Sequence, residues 1–309
     1  MVSMSTKETV LITGGSGLVG TRLSQLLLDA GYQVIHLGRK KSRSGSILTY
    51  QWDMKKGTIE VEALLRADHI IHLAGAGVVD SRWTDERKKE IVSSRVDSAN
   101  LLLAELKKMQ LKPITFVSSS AVGYYGNTGS ALVAEDAEPG NDFLAEVCTA
   151  WENAAKQFEE IGSRVVMLRT GIVLSTKGGA LPKTAAPVKF GIGATLGDGT
   201  QYVPWIHIDD LCRQYIYAIQ NEKMKGVYNA AAPQPVTNKE FTDSIGDALG
   251  KKTINTPAPA FVLKLAMGEM AIAVLGGQRT SSKKIQDAGF AFHFAQLVPA
   301  LKDVFERGV

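Results

Sequence analysis

The sequence predicts an α/β fold in which a doubly wound parallel sheet is followed by a smaller, irregular C-terminal lobe. Short, continuous apolar runs recur along roughly the first 170 residues, as in parallel strands that helices cover on both faces. Amphipathic segments alternate with these runs, and a glycine-rich turn connects the first run to the first such segment. This alternation of strand and helix indicates a layered α/β sheet.

The predicted elements of the sheet follow each other without an internal repeat. We expect strands over residues 9–13, 33–37, 47–50, 70–73, 114–118 and 164–168. Helices are predicted over residues 18–30, 83–109 and 143–161. Residues 1–171, with a return of about residues 203–232, are expected to form the sheet domain, and about residues 172–202 and 233–309 the lobe.

The composition is that of a folded globular protein. Apolar residues make up 45% of the 309 residues and charged residues 21%, with a formal net charge of +4, which excludes an intrinsically disordered chain. The positive charge is too small and too dispersed to predict nucleic-acid binding. Cys148 and Cys212 stand far apart in helical segments, so we expect neither a disulfide framework nor a metal site.

Neither a targeting segment nor a membrane segment is predicted. The N-terminal residues before the first strand lack the apolar core of a signal peptide. The longest apolar stretch, residues 257–275, is interrupted by Lys264 and Glu269 and falls short of a membrane span. We therefore expect a cytoplasmic protein with no membrane partner.

The turn after the first strand is rich in glycine and reads Thr13-Gly14-Gly15-Ser16-Gly17-Leu18-Val19-Gly20. It has the spacing Gly-x-x-Gly-x-x-Gly between a strand and a helix. There the backbone can approach a pyrophosphate, and the helix N-terminus favours its charge. We expect these eight residues to bind a nicotinamide dinucleotide. The alternative is a glycine-rich turn without a ligand.

The end of the second strand predicts which dinucleotide binds. Gly38 stands where an acidic residue would bond the ribose hydroxyls of NAD, and the cations Arg39 and Lys40 follow it. Because arginine presents a planar pair of donors that suits a phosphate, we expect NADP, with NADPH preferred over NADH. The alternative is a solvated basic turn.

Further candidate cofactor contacts stand at or near the carboxyl ends of strands, where ligands bind in open α/β sheets. They are Asp53, Leu73, Ala74, Gly75, Ser118 and Arg169. Asp53 is expected near the adenine. The small residues after the fourth strand would let the backbone touch the cofactor.

Five segments in order resemble the extended short-chain dehydrogenase/reductase superfamily, which includes the nucleotide-sugar epimerases: TGGSGLVG, HLAGAG, FVSSSAVGYYG, LRTGIVLS and WIHIDDL. The segments WTDERKKEIVSSRVDS, DFLAEVCTAWENAA, GEMAIAVLGGQR and AGFAFHF are similar to an atypical subgroup of epimerase-family proteins, some of which are labelled cell division inhibitors. The resemblance covers nearly the whole chain. It implies an extended Rossmann fold, a small C-terminal substrate lobe and a bound NADP.

The resemblance also implies a catalytic serine and a Tyr-x-x-x-Lys pair, in which the phenol exchanges a proton with the substrate. Ser120 aligns with the serine. Leu144 and Cys148 occupy the positions of the pair, so the usual phenol and amine are absent. Tyr124 and Tyr125 follow the serines and are candidate substitutes, although aromatic packing explains them equally well.

Several polar residues have two interpretations. Glu146 is either a base or a surface charge. Arg95 stands where typical relatives carry an asparagine, and it either adds positive charge to the site or pairs with an acid. His207 is expected to order a turn with one of the two aspartates that follow, and Asp209 suits a helix N-cap.

Two functions stay open at this point. The first is an NADP-dependent oxidoreductase or epimerase that acts on an unidentified small hydroxylated or carbonyl substrate, such as a nucleotide sugar. The second is a non-catalytic NADPH-binding regulator or redox sensor, which the missing Tyr-x-x-x-Lys pair favours. The resemblance also implies a homodimer through the helices predicted over residues 84–109 and 143–160, with Trp151 either in its seam or in the core.

Overall fold

The computed structural model describes residues 7–43 and 47–309. Residues 1–6, on which the prediction about a signal peptide partly rests, lie outside the described residues. The strands are β1 (Thr9–Thr13), β2 (Gln33–Gly38), β3 (Leu48–Asp53), β4 (Thr58–Ile59), β5 (His69–His72), β6 (Thr115–Ala121), β7 (Leu132–Val133), β8 (Arg164–Thr170), β9 (Ile172–Leu174), β10 (Ile192–Gly193), β11 (Tyr202–Val203), β12 (Trp205–His207), β13 (Gly226–Ala230), β14 (Val236–Thr237), β15 (Ile254–Asn255) and β16 (Arg279–Thr280).

Helices alternate with these strands. They are α1 (Leu18–Asp29), α2 (Glu62–Leu65), α3 (Asp85–Lys108), α4 (Phe143–Lys156), α5 (Leu181–Val188), α6 (Ile208–Gln220), α7 (Asn238–Ala248), α8 (Ala260–Met267), α9 (Ile272–Leu275), α10 (Lys283–Asp287) and α11 (Leu297–Arg307). Short 3-10 helices cover Val122–Tyr125, Gln157–Ile161 and Gly268–Ala271.

Within the described part of the chain, the main sheet has eight strands in the order β13-β8-β6-β5-β1-β2-β3-β4. Neighbouring strands are parallel except at the β3–β4 edge. The strand order reverses at β1, which pairs with β2 on one side and β5 on the other. The carboxyl ends of β1 and β5 therefore border a crevice of the kind that binds ligands in such sheets. The predicted doubly wound parallel sheet is confirmed.

Helices cover both faces of the sheet because alternate strand residues on each face are apolar. On one face, α1 and α6 contribute Leu23 and Tyr215 to a continuous core. On the other face, α3 and α4 contribute Leu102 and Ala154 to a second core. A third core includes Phe241 of α7 together with residues of α5 and α11, and it lies in the C-terminal part of the chain.

Several strand ends differ from those that the sequence predicts. Strand β6 continues to Ala121, so the serines at 118–120 lie within the strand rather than at its end. Asp53 is the last residue of β3, which is longer than predicted. Of the segment 203–232, β13 returns to the main sheet, whereas β12 pairs with β9 in a separate two-stranded sheet.

The C-terminal segment from residue 260 to 275 is helical but interrupted. Helix α8 ends at Met267 and is followed by Gly268, which has a φ of +62° that favours glycine, and a 3-10 turn leads into α9. Within residues 7–43 and 47–309, no helix has both the length and the apolar character that crossing a membrane requires.

Candidate cofactor and active site

The glycine loop lies at the crevice between β1 and β5. Gly14 has a φ of +70°, and a Cβ atom there would lie 3.0 Å from backbone atoms of Leu73 and Ala74. A Cβ atom on Gly20 would lie 2.5 Å from the Gly14 carbonyl oxygen. Side chains at these positions would therefore push the loop away from β5 and from α1.

The start of α1 is open to an anion. Its N-cap residue, Gly17, provides no capping side chain, and its first turn contains no acidic residue. The first backbone N–H groups of a helix lack intrahelical partners and carry a positive partial charge. Ser16 and Gly17 are exposed, and Leu18 and Val19 are half-buried in the first turn. The loop thus fits a pyrophosphate group, which needs backbone donors and no bulky side chains.

Thr13 ties the end of β1 to the end of β5 below this loop. Its Oγ1 atom accepts hydrogen bonds from the N–H groups of Leu73 and Ala74 at 3.2 Å each, and it lies 2.8 Å from His72 Nδ1. Burial lowers the pKa of His72 to about 4, so its ring is neutral at pH 7. The Thr13 hydroxyl is therefore engaged within the protein and shapes the crevice.

In the basic turn after β2, some cations lie close to an acidic side chain and others do not. Lys41 forms an ion pair with Glu60, and Arg43 lies 3.8 Å from the same carboxylate. Arg39 and Lys40 are exposed, and neither forms an ion pair with a described residue. The pair that the sequence assigns to a 2′-phosphate thus has no acidic partner in the part of the chain that the structure describes.

Asp53 orders the turn that follows β3. Its carboxylate accepts hydrogen bonds from the N–H groups of Lys55 and Lys56 at 2.9 and 3.1 Å. The side chain is half-buried, so a contact with the adenine stays a prediction.

Ser120, Glu152 and Arg169 form a buried cluster between β6, α4 and β8. Ser120 Oγ donates a hydrogen bond to Glu152 Oε1 at 2.6 Å. Arg169 donates to both oxygens of the same carboxylate, through Nε at 2.8 Å and Nη2 at 2.9 Å. Burial alone would lower the pKa of Arg169, but the bonds to Glu152 hold it above its ordinary value. The cluster is one charge-compensated unit.

This cluster places the Arg169 side chain in the interior of the chain. The side chain is only 3% exposed and is bound by Glu152, and its contact with a cofactor stays a prediction. Sequence reasoning missed Glu152. An acidic residue on the buried face of an amphipathic helix, four residues after Cys148, is the signal that could have pointed to it.

The three serines of β6 point to different partners. Ser119 hydrogen-bonds the hydroxyl of Tyr215 on α6, on the side of the sheet opposite to Glu152. The Ser118 hydroxyl donates to the Ser119 carbonyl at 2.9 Å. Ser118 and Ser120 are both buried, and their hydroxyls bond groups inside the protein. Their proposed roles toward cofactor and substrate stay predictions.

The two tyrosines after β6 have different environments. Tyr125 is buried and donates a hydrogen bond to Asn229 Oδ1 at 2.7 Å, and burial raises the pKa of its phenol to about 12. Tyr124 is half-buried, and the Arg169 guanidinium lies 3.3 Å from the centre of its ring. Within the described residues, no hydrogen bond engages the Tyr124 hydroxyl. Tyr124 is therefore the available phenol of the pair.

Leu144 and Cys148 lie side by side on the face of α4 that meets the tyrosine loop. A Cβ atom on Gly123 would lie 3.3 Å from Leu144 Cβ and 3.9 Å from Cys148 Sγ. Burial raises the pKa of the Cys148 thiol to about 12, so it is neutral at pH 7. Glu146 is exposed on another face of the helix. None of these three side chains offers a buried acid or base at the site.

Arg95 reaches the same region from α3. Its guanidinium lies 4.8 Å from the centre of the Trp151 ring, and a Cβ atom on Gly75 would lie 3.0 Å from its Cζ atom. Arg95 and Trp151 are both buried, so Trp151 belongs to the interior of the chain. Among the described residues, no acidic side chain pairs with Arg95. The interpretation of Arg95 as the partner of an acid is thus wrong.

The turn before α6 is ordered by His207 as predicted, but its cap differs. His207 is the N-cap residue, and its Nδ1 accepts a hydrogen bond from the Asp209 N–H at 3.0 Å. The Asp209 carboxylate instead bonds Arg22 at 2.6 Å and Arg307 at 2.8 Å. Burial alone would raise the pKa of Asp209, but these two arginines lower it to about 2. Asp209 is thus the centre of an ion cluster.

The acidic and thiol side chains of the described residues do not assemble a metal site. No group of three or more His, Cys, Asp or Glu side chains in residues 7–43 and 47–309 has an arrangement that could hold a metal ion.

Comparison with known proteins identifies the family. Residues 10–231 match the model of the NAD dependent epimerase/dehydratase family. The chain belongs to this family. Residues 258–304 match a second model, a domain of unknown function, DUF1731, which covers α8 to most of α11.

Similar proteins cover almost the whole chain. An epimerase family protein of Mycobacterium leprae is 34% identical over 302 residues, which are 97% of either chain. The epimerase family protein SDR39U1 of Mus musculus is 34% identical over 299 residues, 96% of this chain and 99% of the relative. The crystal structure of human SDR39U1 with NADPH matches with a TM-score of 0.85 and 32% identity, over 96% of this chain and 99% of that one.

More distant structures share the fold alone. UDP-N-acetylglucosamine 4-epimerase from Bacillus cereus matches with a TM-score of 0.76 at 17% identity, over 98% of this chain and 99% of that one. Together, the family models and the relatives confirm an atypical extended short-chain dehydrogenase/reductase with a Rossmann-type NAD(P)-binding fold.

Proposed function

We propose that this protein binds NADPH in preference to NADH and uses it as an oxidoreductase or epimerase on a small substrate with a hydroxyl or carbonyl group. The observation that carries the cofactor preference is the pair Arg39 and Lys40, exposed and free of described acidic partners at the end of β2. A 2′-phosphate would supply the anion that these cations lack. The NADPH in the human relative supports this choice.

Residues around the crevice fit the rest of the cofactor. The backbone of the loop from Gly14 to Gly20 would hold the pyrophosphate at the start of α1. Ala74 and Gly75 would line the path toward the nicotinamide, because they follow β5 at the reversal of strand order. When bound, NADPH supplies the hydride.

Tyr124 is the side chain that we assign to proton exchange with the substrate oxygen. Ser120 and Tyr125 are buried and donate hydrogen bonds to Glu152 and Asn229, whereas no described residue engages the Tyr124 hydroxyl. Its ring is held against the Arg169 guanidinium, which fixes the position of the phenol. A positioned phenol is a competent general acid or base.

A non-catalytic NADPH-binding regulator or redox sensor is the second candidate function. Leu144 and Cys148 favour it, because a leucine and a neutral buried thiol stand where the resemblance implies the catalytic pair. The two functions differ in one measurable property, which is substrate-dependent oxidation or reduction of the nucleotide.

Cofactor preference is tested by titrating NADPH and NADH into the wild type and into Arg39→Asp. We expect the substitution to raise the Kd for NADPH about tenfold or more and to leave that for NADH nearly unchanged, since a charge-assisted phosphate contact is lost. Lys251→Asp makes the same change in net charge at an exposed site in the lobe and should alter neither affinity. Equal weakening of both nucleotides by Arg39→Asp would contradict the assignment.

Catalysis is tested by nucleotide absorbance with a panel of small carbonyl and hydroxyl compounds. Tyr124→Phe is expected to lower kcat strongly with little change in the Kd for NADPH. Tyr32→Phe is the control, because Tyr32 immediately precedes the amino end of β2, whereas the crevice lies at the carboxyl ends of the strands. Turnover unaffected by Tyr124→Phe would remove the proposed acid–base group. Tight NADPH binding without turnover on any compound would favour the regulator.

A further inference from the structure

Arg95 is a buried cation without a counterion among the described residues. It is only 8% exposed, and its guanidinium is held between the Gly75 backbone and the ring of Trp151. Burying an unpaired charge is strongly unfavourable, so buried arginines ordinarily have an anionic partner or a complete set of hydrogen bonds. Arg169, at 2% exposure, has such a partner in Glu152.

The neighbours of Arg95 provide no negative charge. Nη1 donates hydrogen bonds to the Ile91 carbonyl at 2.8 Å and to Ser94 Oγ at 3.4 Å, both neutral groups of the same helix. The charged or ionisable side chains that affect the pKa of Arg95 are Cys148, whose buried thiol is neutral because its pKa is raised to about 12, and Arg87, which is itself a cation. His72, whose pKa burial lowers to about 4, is neutral as well. Burial accordingly lowers the pKa of Arg95.

Arg164 is an example of an arginine with a structural role in this protein, and its hydrogen bonds can be compared with those of Arg95. Its Nη1 and Nη2 atoms donate to three main-chain carbonyl groups and to the Thr115 hydroxyl, at distances of 2.7–2.9 Å. Both ends of that guanidinium are therefore satisfied. In Arg95, only Nη1 has a hydrogen-bond partner among the described residues, and the other donors are left for a ligand.

The position of Arg95 beside Gly75 indicates which part of the crevice a ligand of its guanidinium would occupy. Gly75 is exposed and follows β5 at the crevice, and the adjacent Ala76 N–H is tied to Ser94 on α3 at 2.9 Å. We propose that Arg95 binds an anionic group of the substrate, a carboxylate or a phosphate, beside Gly75. The inference rests on the proposed function in placing a substrate at this crevice. Arginine suits such a group because its planar fork can donate two parallel hydrogen bonds.

The substrate is accordingly an acid or a phosphorylated compound that carries the reacting hydroxyl or carbonyl. The charge that holds it comes from α3, whereas the side chains of α4 that come nearest to a Cβ atom on Gly123 are the uncharged Leu144 and Cys148. Arg95 is a binding and specificity-determining residue in this proposal, and proton exchange stays with Tyr124.

The test measures melting temperatures of wild type, Arg95→Gln, Arg95→Lys and Arg164→Gln, each with and without NADPH. Inorganic phosphate and oxalate are titrated at constant ionic strength, with acetamide as the uncharged control. We expect both anions to raise the Tm of the wild type. Arg95→Gln should raise the midpoint of the anion titration about tenfold or more, and Arg95→Lys should retain part of the response. Acetamide should have no effect.

The nucleotide-free and anion-free proteins provide an independent readout. Arg95→Gln should melt no lower than the wild type, because it removes an uncompensated buried charge, whereas Arg164→Gln should melt lower because it abandons carbonyl groups that lose their donors. If Arg95→Gln instead melts as low as Arg164→Gln and keeps the anion response, Arg95 is structural and the proposal is wrong.

Two further outcomes separate this inference from the proposed function. If Arg95→Gln weakens NADPH itself tenfold with no anion present, the anion belongs to the cofactor, and the substrate assignment is overturned. A wild type that binds no NADPH contradicts the proposed function, whereas the anion titration of the nucleotide-free protein still decides the role of Arg95.

Discussion

The substitution Glu152→Gln removes the negative charge that Ser120 and Arg169 share. Glu152 and Arg169 have side chains that are 10% and 3% exposed, with a shortest nitrogen–oxygen distance of 2.8 Å. Breaking a buried ion pair by removing one partner costs about 3–5 kcal/mol, because the remaining charge is left uncompensated. Glutamine still accepts a hydrogen bond, so we expect a loss near the lower end, about 3 kcal/mol of unfolding free energy.

A matched surface pair provides the control. Lys107 and Glu160 form an ion pair of nearly the same length, 2.7 Å, but their side chains are 46% and 59% exposed. Solvent screens such a pair, so Glu160→Gln should cost less than about 1 kcal/mol. The two substitutions are therefore the same chemical change in ion pairs of similar nitrogen–oxygen distance, one buried and one exposed.

Urea unfolding monitored by tryptophan fluorescence measures both variants against the wild type, with linear extrapolation to water. The double variant Glu152→Met with Arg169→Met should lose less stability than Glu152→Gln alone, because neither charge remains buried. Equal losses for Glu152→Gln and Glu160→Gln would refute the reasoning, as would a double variant less stable than Glu152→Gln.

Three further predictions follow from the crevice and its surroundings. Gly20→Ala is expected to weaken NADPH binding about tenfold or more in a fluorescence titration, because its Cβ would lie 2.5 Å from the Gly14 carbonyl oxygen; unchanged affinity would contradict the role of the loop. Burial raises the pKa values of Cys148 (to about 12) and Cys212, so neither thiol should react with a disulfide reagent at pH 8 until urea unfolds the protein; rapid modification of the native protein would speak against this burial. Burial also lowers the pKa of His72 from 6.5 to about 4, so the unfolded chain binds a proton that the folded protein excludes. Stability is full above pH 6.5 and falls by up to about 3 kcal/mol toward pH 4; His72→Gln should flatten this fall, and identical pH profiles would exclude His72 as its cause.

The fold was predictable because its signals are local. Apolar runs, amphipathic helices and the glycine turn each appear within a few consecutive residues, and the strand-to-helix alternation then restricts the topology. The glycine loop at the crevice follows from the same pattern. Exact strand ends were less predictable: β6 continues through the three serines because it pairs with β8 as far as Ala121.

The contacts of the site were not predictable from local patterns. Ser120, Glu152 and Arg169 come from β6, α4 and β8, and their meeting depends on how these elements pack. The sequence therefore did not predict that Glu152 is the partner of Arg169. The cap of α6 shows the same limit, since Asp209 has the chemistry of an N-cap, but Arg22 and Arg307 hold its carboxylate elsewhere.

The ion cluster at Asp209 has a consequence for how the molecule unfolds. Arg22 belongs to α1, which follows the glycine loop, whereas Arg307 belongs to α11 at the far end of the chain. Phe290, also from the C-terminal region, lies in the same core as α1. The parts of the chain that the sequence assigns to a sheet domain and a lobe therefore share an ion cluster and a hydrophobic core, so we expect them to unfold together. Calorimetry should show one cooperative transition, and the amide protons of α11 should exchange as slowly as those of α1.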